Sequence, residues 1–236
     1  AFSAGPNSSG KIRLGGVVGR VYASTADVLV KNCKNEGAIN ISYAAGLEGQ
    51  SIVGGVVAIL ADGSAGYTPT VSDCSNIADI TNFNGGKDSY VGGVFGYITR
   101  GGEEISTISN CTNTGAVCGG STSAACSAIH IGGIVGLVKG HNRLDAVYNI
   151  SNCLFTGYIS NTRVPNSGDG CGGQYIGGIL GQDTNTAKIN IKDDANFIRA
   201  NEIMSKITKQ SKVQPRSPRK YLGAAWTRKG TTIFVS

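Results

Sequence analysis

Five times along this chain a Gly-Gly pair is set between apolar residues, and that recurrence limits what the chain can fold into more than any other feature. The copies are Leu14-Gly15-Gly16-Val17-Val18-Gly19, Val53-Gly54-Gly55-Val56-Val57-Ala58, Val91-Gly92-Gly93-Val94-Phe95-Gly96, Ile131-Gly132-Gly133-Ile134-Val135-Gly136 and Ile176-Gly177-Gly178-Ile179-Leu180-Gly181. First glycine to first glycine, the spacings are 39, 38, 40 and 45 residues. A period of this size marks an array of stacked supersecondary units, each unable to bury its apolar face alone.

A second landmark follows each pair by some twenty residues in the first four copies. It reads Asn32-Cys33-Lys34-Asn35-Glu36-Gly37, Asp73-Cys74-Ser75-Asn76-Ile77-Ala78, Asn110-Cys111-Thr112-Asn113-Thr114-Gly115 and Asn152-Cys153-Leu154-Phe155-Thr156-Gly157. The fifth copy lacks it, as a terminal repeat turning into a cap would. Each unit holds three strand-like runs, in the first copy Leu14 to Val21, Val28 to Cys33 and Ala38 to Tyr43. Lys34 to Gly37 has the composition of a turn. Three short strands per constant period predict an all-β chain, a parallel β-helix of about five coils whose strands stack at about 4.8 Å. One coil per repeat is favoured over two smaller ones.

In such a stack Cys33, Cys74, Cys111 and Cys153 form one column, and Asn32, Asp73, Asn110 and Asn152 the next. Packing explains both: Cys acts as a small apolar residue in a tight interior, and stacked Asn side chains hydrogen-bond at a buried bend. Spacings of about 40 residues do not resemble a metal-ligand motif. Of the other cysteines, Cys126 and Cys171 each lie six residues before the first glycine of a pair, while Cys118 and Cys126 bracket a short loop. A disulfide is expected somewhere among Cys118, Cys126 and Cys171. The Gly-Gly run itself, read as one strand, has two apolar faces. The coil interior covers one, and loops, the C-terminal region or another molecule must cover the other.

Charge divides sharply along the chain. Residues 1–187 hold 10 Lys/Arg and 12 Asp/Glu, a net of −2, whereas residues 188–236 hold 11 and 3, a net of +8. No run reaches the ~18 apolar residues of a membrane helix, so no transmembrane segment is expected. Nor does a leader-like segment open the sequence, which reads as mature soluble protein. We place the repeats at residues 1–191 and a small α+β cap or docking segment at 192–236. There Asp193-Asp194 starts a helix with Phe197, Ala200, Met204 and Ile207 on one face, and a hairpin around Trp226 follows. Within the segment, Lys206, Lys209, Lys212, Arg216, Arg219 and Lys220 are the candidate contacts to an anionic partner.

Catalytic signatures are sparse. The glycines do not fit a dinucleotide fingerprint or a P-loop. His130 and His141 sit at unrelated repeat positions and are expected on the surface or in loops. Asp27, Asp62, Glu103 and Asp145 all follow the Gly-Gly strand in their coils, so a row of carboxylates acting on polysaccharide is the one enzymatic reading to weigh. No catalytic residue, metal site or cofactor is assigned. The connections Ala44 to Ser51, Thr81 to Ser89, Gly119 to His130 and Ser160 to Gln174 vary in length and are the general candidates for recognition.

The units Gly132-Gly133-Ile134-Val135-Gly136 and Ile150-Ser151-Asn152-Cys153-Leu154-Phe155-Thr156-Gly157-Tyr158-Ile159 resemble the GLUG-motif repeat, over residues 12 to 191. Ala58 and Ala78 depart from its glycines. The resemblance implies a secreted or surface-anchored β-solenoid, extracellular or on the cell surface, serving as an adhesin or structural interaction module. Its partners would be a protein or glycan surface or copies of itself, with no specific nucleic acid. Self-assembly into a filament is the alternative function, ahead of a polysaccharide-active enzyme.

Overall fold

The computed structural model describes residues 11–23, 26–41, 49–62, 67–84, 88–99, 105–121, 128–139, 147–163, 174–184, 188–191 and 197–198. They form a parallel β-helix with one coil per repeat, and every strand pairing is parallel. The first coil contains β1 (Ile12–Gly15), β2 (Val18–Ala23), β3 (Val28–Lys31), β4 (Lys34–Asn35) and β5 (Ile39–Ile41). The second has β6 (Ser51–Gly54), β7 (Val57–Asp62), β8 (Pro69–Ser72), β9 (Ser75–Asn76) and β10 (Ile80–Asn84). In the third are β11 (Asp88–Gly92), β12 (Phe95–Thr99), β13 (Ile105–Ser109), β14 (Thr112–Asn113) and β15 (Val117–Ser121). The fourth runs through β16 (Ala128–Gly132), β17 (Val135–Lys139), β18 (Val147–Ser151), β19 (Leu154–Phe155) and β20 (Ile159–Arg163). The fifth adds β21 (Gln174–Gly177), β22 (Leu180–Thr184), β23 (Lys188–Ile191) and β24 (Phe197–Ile198). Equivalent strands stack into five sheets, numbered one to five by their order in the coil.

Five sheets rather than three follow from two corners. At each Gly-Gly pair the expected single strand breaks in two. A Cβ on Gly92 would lie 1.7 Å from the carbonyl oxygen of Phe95 and 2.8 Å from the nitrogen of Gly136. Only glycine permits so tight a bend and so close a neighbouring coil. The second corner lies at Asn32, Asp73, Asn110 and Asn152, whose φ values are 58°, 56°, 55° and 53°. Asn and Asp tolerate this left-handed conformation better than other non-glycine residues, which is why the column carries them. The corner is largely exposed, not buried as expected, and within it Asn110 Nδ2 donates to Asp73 Oδ1 at 2.9 Å.

Between the corners, alternation fixes what faces inward. Val30, Val71, Ile108 and Ile150 form one buried column, and Ile39, Ile80, Val117 and Ile159 another. These belong to a single apolar cluster running through all five coils. Strands also extend into stretches whose composition reads as loop. Gly119 and Gly120 of β15 pair with Asn82 and Phe83 on one side and with Asn161 and Thr162 on the other. Neighbouring coils on both sides override weak local strand propensity there.

Phe197 and Ile198 pair with Leu154 and Phe155, so they extend sheet four instead of opening a helix, and the fifth coil runs on beyond residue 191. Ala200, Met204, Ile207 and the hairpin around Trp226 lie outside the described residues. No described helix is long and apolar enough to cross a membrane.

Candidate interaction surfaces

The interior is occupied by side chains that hold one coil to the next. Two residues after the first three column cysteines stand Asn35, Asn76 and Asn113, all buried. Asn35 Nδ2 donates to Asn76 Oδ1 at 2.7 Å, and Asn76 Nδ2 to Asn113 Oδ1 at 2.8 Å. Asn113 Nδ2 reaches the carbonyl of Gly133 at 3.0 Å. The ladder lies against the second glycine of each corner: a Cβ on Gly93 would be 2.1 Å from Asn113 Nδ2 and 2.0 Å from Gly133 O. In the fourth coil Phe155 fills the same place, and a Cβ on Gly133 would be 2.4 Å from its ring. The Gly-Gly pair and the Asn rung are thus two halves of one contact. Reading Lys34 to Gly37 as a turn missed this rung, although an Asn two residues after Cys in three copies was its signal.

The thiol column packs as expected. Cys33, Cys74, Cys111 and Cys153 each turn Sγ toward the carbonyl two residues back, at 3.5, 3.2, 3.3 and 3.4 Å. The hydrogen bond to Cys111, with burial, raises the Cys74 thiol, and the one to Cys153 pushes Cys111 up to about 12. Cys153, the receiving end, is lowered by its bond with Cys111. Protonated buried thiols are poor nucleophiles. Cys118 carries a free thiol, half-buried on sheet five; Cys126 and Cys171 lie outside the described residues.

The second apolar face of the Gly-Gly run is covered by the same run of the neighbouring coil. Because the corner is so sharp, the strand after it lies against the strand before the corner of the preceding coil: a Cβ on Gly96 would be 2.6 Å from Val53 O and 2.8 Å from Ile52 Cγ2. Sheets one and two thereby clasp a smaller cluster of Ile52, Ala58, Ile59, Ala61, Tyr90 and Leu137, with Tyr97 packed against it. Tyr90 and Tyr97 stack across the clasp at 5.5 Å, and Gln50 Nε2 donates to the Tyr90 hydroxyl at 2.9 Å.

His130 is in this clasp, not on the surface. It is 5% exposed within β16, between Tyr90 at 4.8 Å and Tyr175 at 4.9 Å between ring centroids. Its Nδ1 has no hydrogen-bond partner, and burial drives its pKa down to about 3. His130 Cα is in register with Tyr90 and Tyr175, so the column needs a flat ring there, and a neutral imidazole supplies one. His141 lies outside the described residues.

Of the four candidate carboxylates only the side chain of Asp27 is described. Its Oδ1 accepts a hydrogen bond from the backbone nitrogen of Thr68 at 2.7 Å, so it ties the first coil to the second. Asp62 closes β7 by its backbone. Glu103 and Asp145 lie outside the described residues, as do Lys206, Lys209, Lys212, Arg216, Arg219 and Lys220. Among the described residues no three His, Cys, Asp or Glu side chains gather as a metal site would require.

What faces solvent is a lateral surface on sheets three and four. Outward columns there run Leu29, Thr70, Thr107 and Asn149, then Lys31, Ser72, Ser109 and Ser151, then Lys34, Ser75, Thr112 and Leu154. From β13 to β15 the chain carries no charged residue, and from β18 to β20 only Arg163. From the second coil to the fourth the result is a grid of hydroxyl and amide groups, with Leu154 its one apolar member. In the first four coils every variable connection joins sheet five to sheet one or sheet two to sheet three, leaving this grid uninterrupted there. Comparison with protein-family models, with curated proteins and with solved structures gave no significant match.

Proposed function

We propose that this chain is a β-solenoid module of a secreted or cell-surface protein, acting without catalysis as an adhesin or structural interaction element. The observation that carries the reading is the uncharged grid on sheets three and four of the third and fourth coils, which offers many weak hydrogen-bonding groups at a constant interval. A repeating polar array suits a partner that is itself extended and hydroxyl- or amide-rich, such as a glycan or glycoprotein surface, because weak contacts add along its length. The resemblance of the repeats to the GLUG motif supports the same conclusion. The test is a glycan array and a cell-binding assay with the purified chain and with Thr107→Lys/Ser109→Lys, which puts two charges in the middle of the grid. Binding by the parent, at least tenfold weaker in the variant, supports the reading; equal binding by both defeats it.

Assembly into a filament is the second reading, favoured by the edge of the first coil, to which no described strand pairs. Sedimentation velocity across a hundredfold range of concentration separates the two, since a single monomeric species leaves no filament.

A further inference from the structure

The first coil differs from the others in a way that only the register reveals. Arg13 heads a column that continues Ile52, Tyr90, His130 and Tyr175. Arg20 heads Ile59, Tyr97, Leu137 and Gln182. Lys31 and Lys34 head the Ser/Thr columns of sheets three and four. In each case the first coil bears a cation, and none of its described counterparts above does. All four are exposed, and they encircle the coil on four of its five sheets. Residues 11–41 hold five Lys/Arg against Asp27 and Glu36, a net of +3, whereas residues 42–187 hold five against ten, a net of −5.

Inside this collar lies apolar surface. Val17 is 46% exposed, while its counterparts Val56, Val94 and Ile134 are fully buried. Ile12, Leu14, Val18 and Val28 are only partly covered. Tyr22 and Leu29, 48% and 64% exposed, stand beside the collar, with the Arg20 guanidinium 4.6 Å from the Tyr22 ring centroid. Between collar and centre run the edges of five parallel strands to which no described strand pairs, and their backbone groups alternately point toward the second coil and away from it.

We propose that this end of the solenoid docks an acidic polypeptide that adds to it as a strand. Three requirements together select that partner. Backbone donors and acceptors with no partner strand among the described residues call for another polypeptide backbone, as in other strand additions. A lipid surface would leave them unsatisfied. An apolar centre within a polar rim is the anatomy of a protein interface. The collar sets the charge of the partner: Lys31 reaches Asp73 at 3.7 Å and Lys34 pairs with Glu36, but the coil stays net positive. Like charges oppose docking of the same end of a second copy. Residues 1–10 contain no acidic side chain and cannot neutralise the collar. The proposal stands independently of the adhesin reading, since it concerns the end of the rod and not its side.

The experiment titrates the full chain into a fluorescein-labelled octapeptide of alternating Val and Glu, followed by anisotropy at low and moderate salt. Saturable binding is expected, weakening at least tenfold at the higher salt. It should also weaken at least tenfold in Arg13→Gln/Arg20→Gln/Lys34→Gln and stay within twofold in Lys139→Gln, a control cation on the fourth coil. An octapeptide N-methylated at alternate residues, unable to form the ladder, should bind at least tenfold more weakly. Equal binding of the N-methylated peptide, or of polyphosphate, would make the site a general polyanion surface and overturn strand addition. Concentration-dependent dimers that exclude the peptide would assign the face to a second copy. Binding seen only after removal of residues 1–10 would assign it to the chain's own N-terminus, and no binding in any form would reject the proposal. Far-ultraviolet circular dichroism of each variant confirms that the coil is intact.

Discussion

Gly93 and Gly37 are both glycines of the repeat, and they serve different ends. A Cβ at Gly93 would meet backbone and the Asn113 amide near 2 Å, whereas at Gly37 the nearest atom is Asn35 Oδ1 at 3.8 Å. Gly93→Ala should cost about 3 kcal/mol or more by overpacking, and Gly37→Ala should be neutral or stabilise by roughly 0.5 kcal/mol through the unfolded chain. Urea unfolding of the two variants checks this, and equal effects would mean that the corner relaxes. His130 gives a pH dependence of definite sign. Its folded pKa is lowered from 6.5 to about 3 by burial, so below pH 6.5 the unfolded chain takes up a proton that the folded one refuses. The stabilisation is complete above 6.5 and is lost as pH falls, at about 1.4 kcal/mol per pH unit. Phe keeps a flat ring between Tyr90 and Tyr175 and removes the titration. Between pH 7.5 and 4.5 the parent should lose about 2 to 3 kcal/mol more than His130→Phe; parallel losses would place the acid sensitivity elsewhere.

At the scale of the element, two Asn columns with similar sequence signals carry unequal weight. Asn76 lies in mid-ladder, accepting from Asn35 and donating to Asn113 and to the carbonyl of Ala78. Asn76→Ala takes one hydrogen bond from each of two buried neighbours, leaves the Ala78 carbonyl without its side-chain donor, and should cost about 2 to 3 kcal/mol. Asn110, at φ 55° on an exposed corner, suits replacement by Gly, which should change stability by less than about 1 kcal/mol. Thermal melts of both variants test the contrast; a reversal would mean that the outer corner, not the inner ladder, holds the coils in register. The sequence carried both columns as constant offsets from Cys. Which of the two turns inward depends on the left-handed corner, and a list of residue types does not contain that dihedral.

For the whole molecule, coils that touch only their neighbours make stability nearly a sum over repeats. Gly92 and Gly132 are in register, so deleting residues 92–131 joins Val91 to Gly132 with the columns still aligned. The shortened chain should fold as a four-coil solenoid with the same β-type circular dichroism spectrum and a urea m value lower by about a fifth. Collapse of the spectrum would show that the fourth coil needs the third in particular. The same additive architecture leaves the ends as the places where an array can be distinguished chemically, and the cationic first coil is such a place.

Period, strand alternation and the recurrence of Gly-Gly and Asn-Cys were enough, by themselves, to determine a parallel β-helix with one coil per repeat, because each is a local pattern repeated at constant spacing. Tertiary structure decided the rest. A strand that reads as continuous through Leu14-Gly15-Gly16-Val17 becomes a corner, since only the next coil shows how closely backbones approach there. His130 becomes core because Tyr90 and Tyr175 lie above and below it, 40 and 45 residues away in sequence. The cations of the first coil become a collar because register brings Arg13, Arg20, Lys31 and Lys34 to the heads of four columns. Side-chain neighbours in a stack are a full turn apart along the chain, so what each residue does depends on alignments between coils that no single repeat encodes.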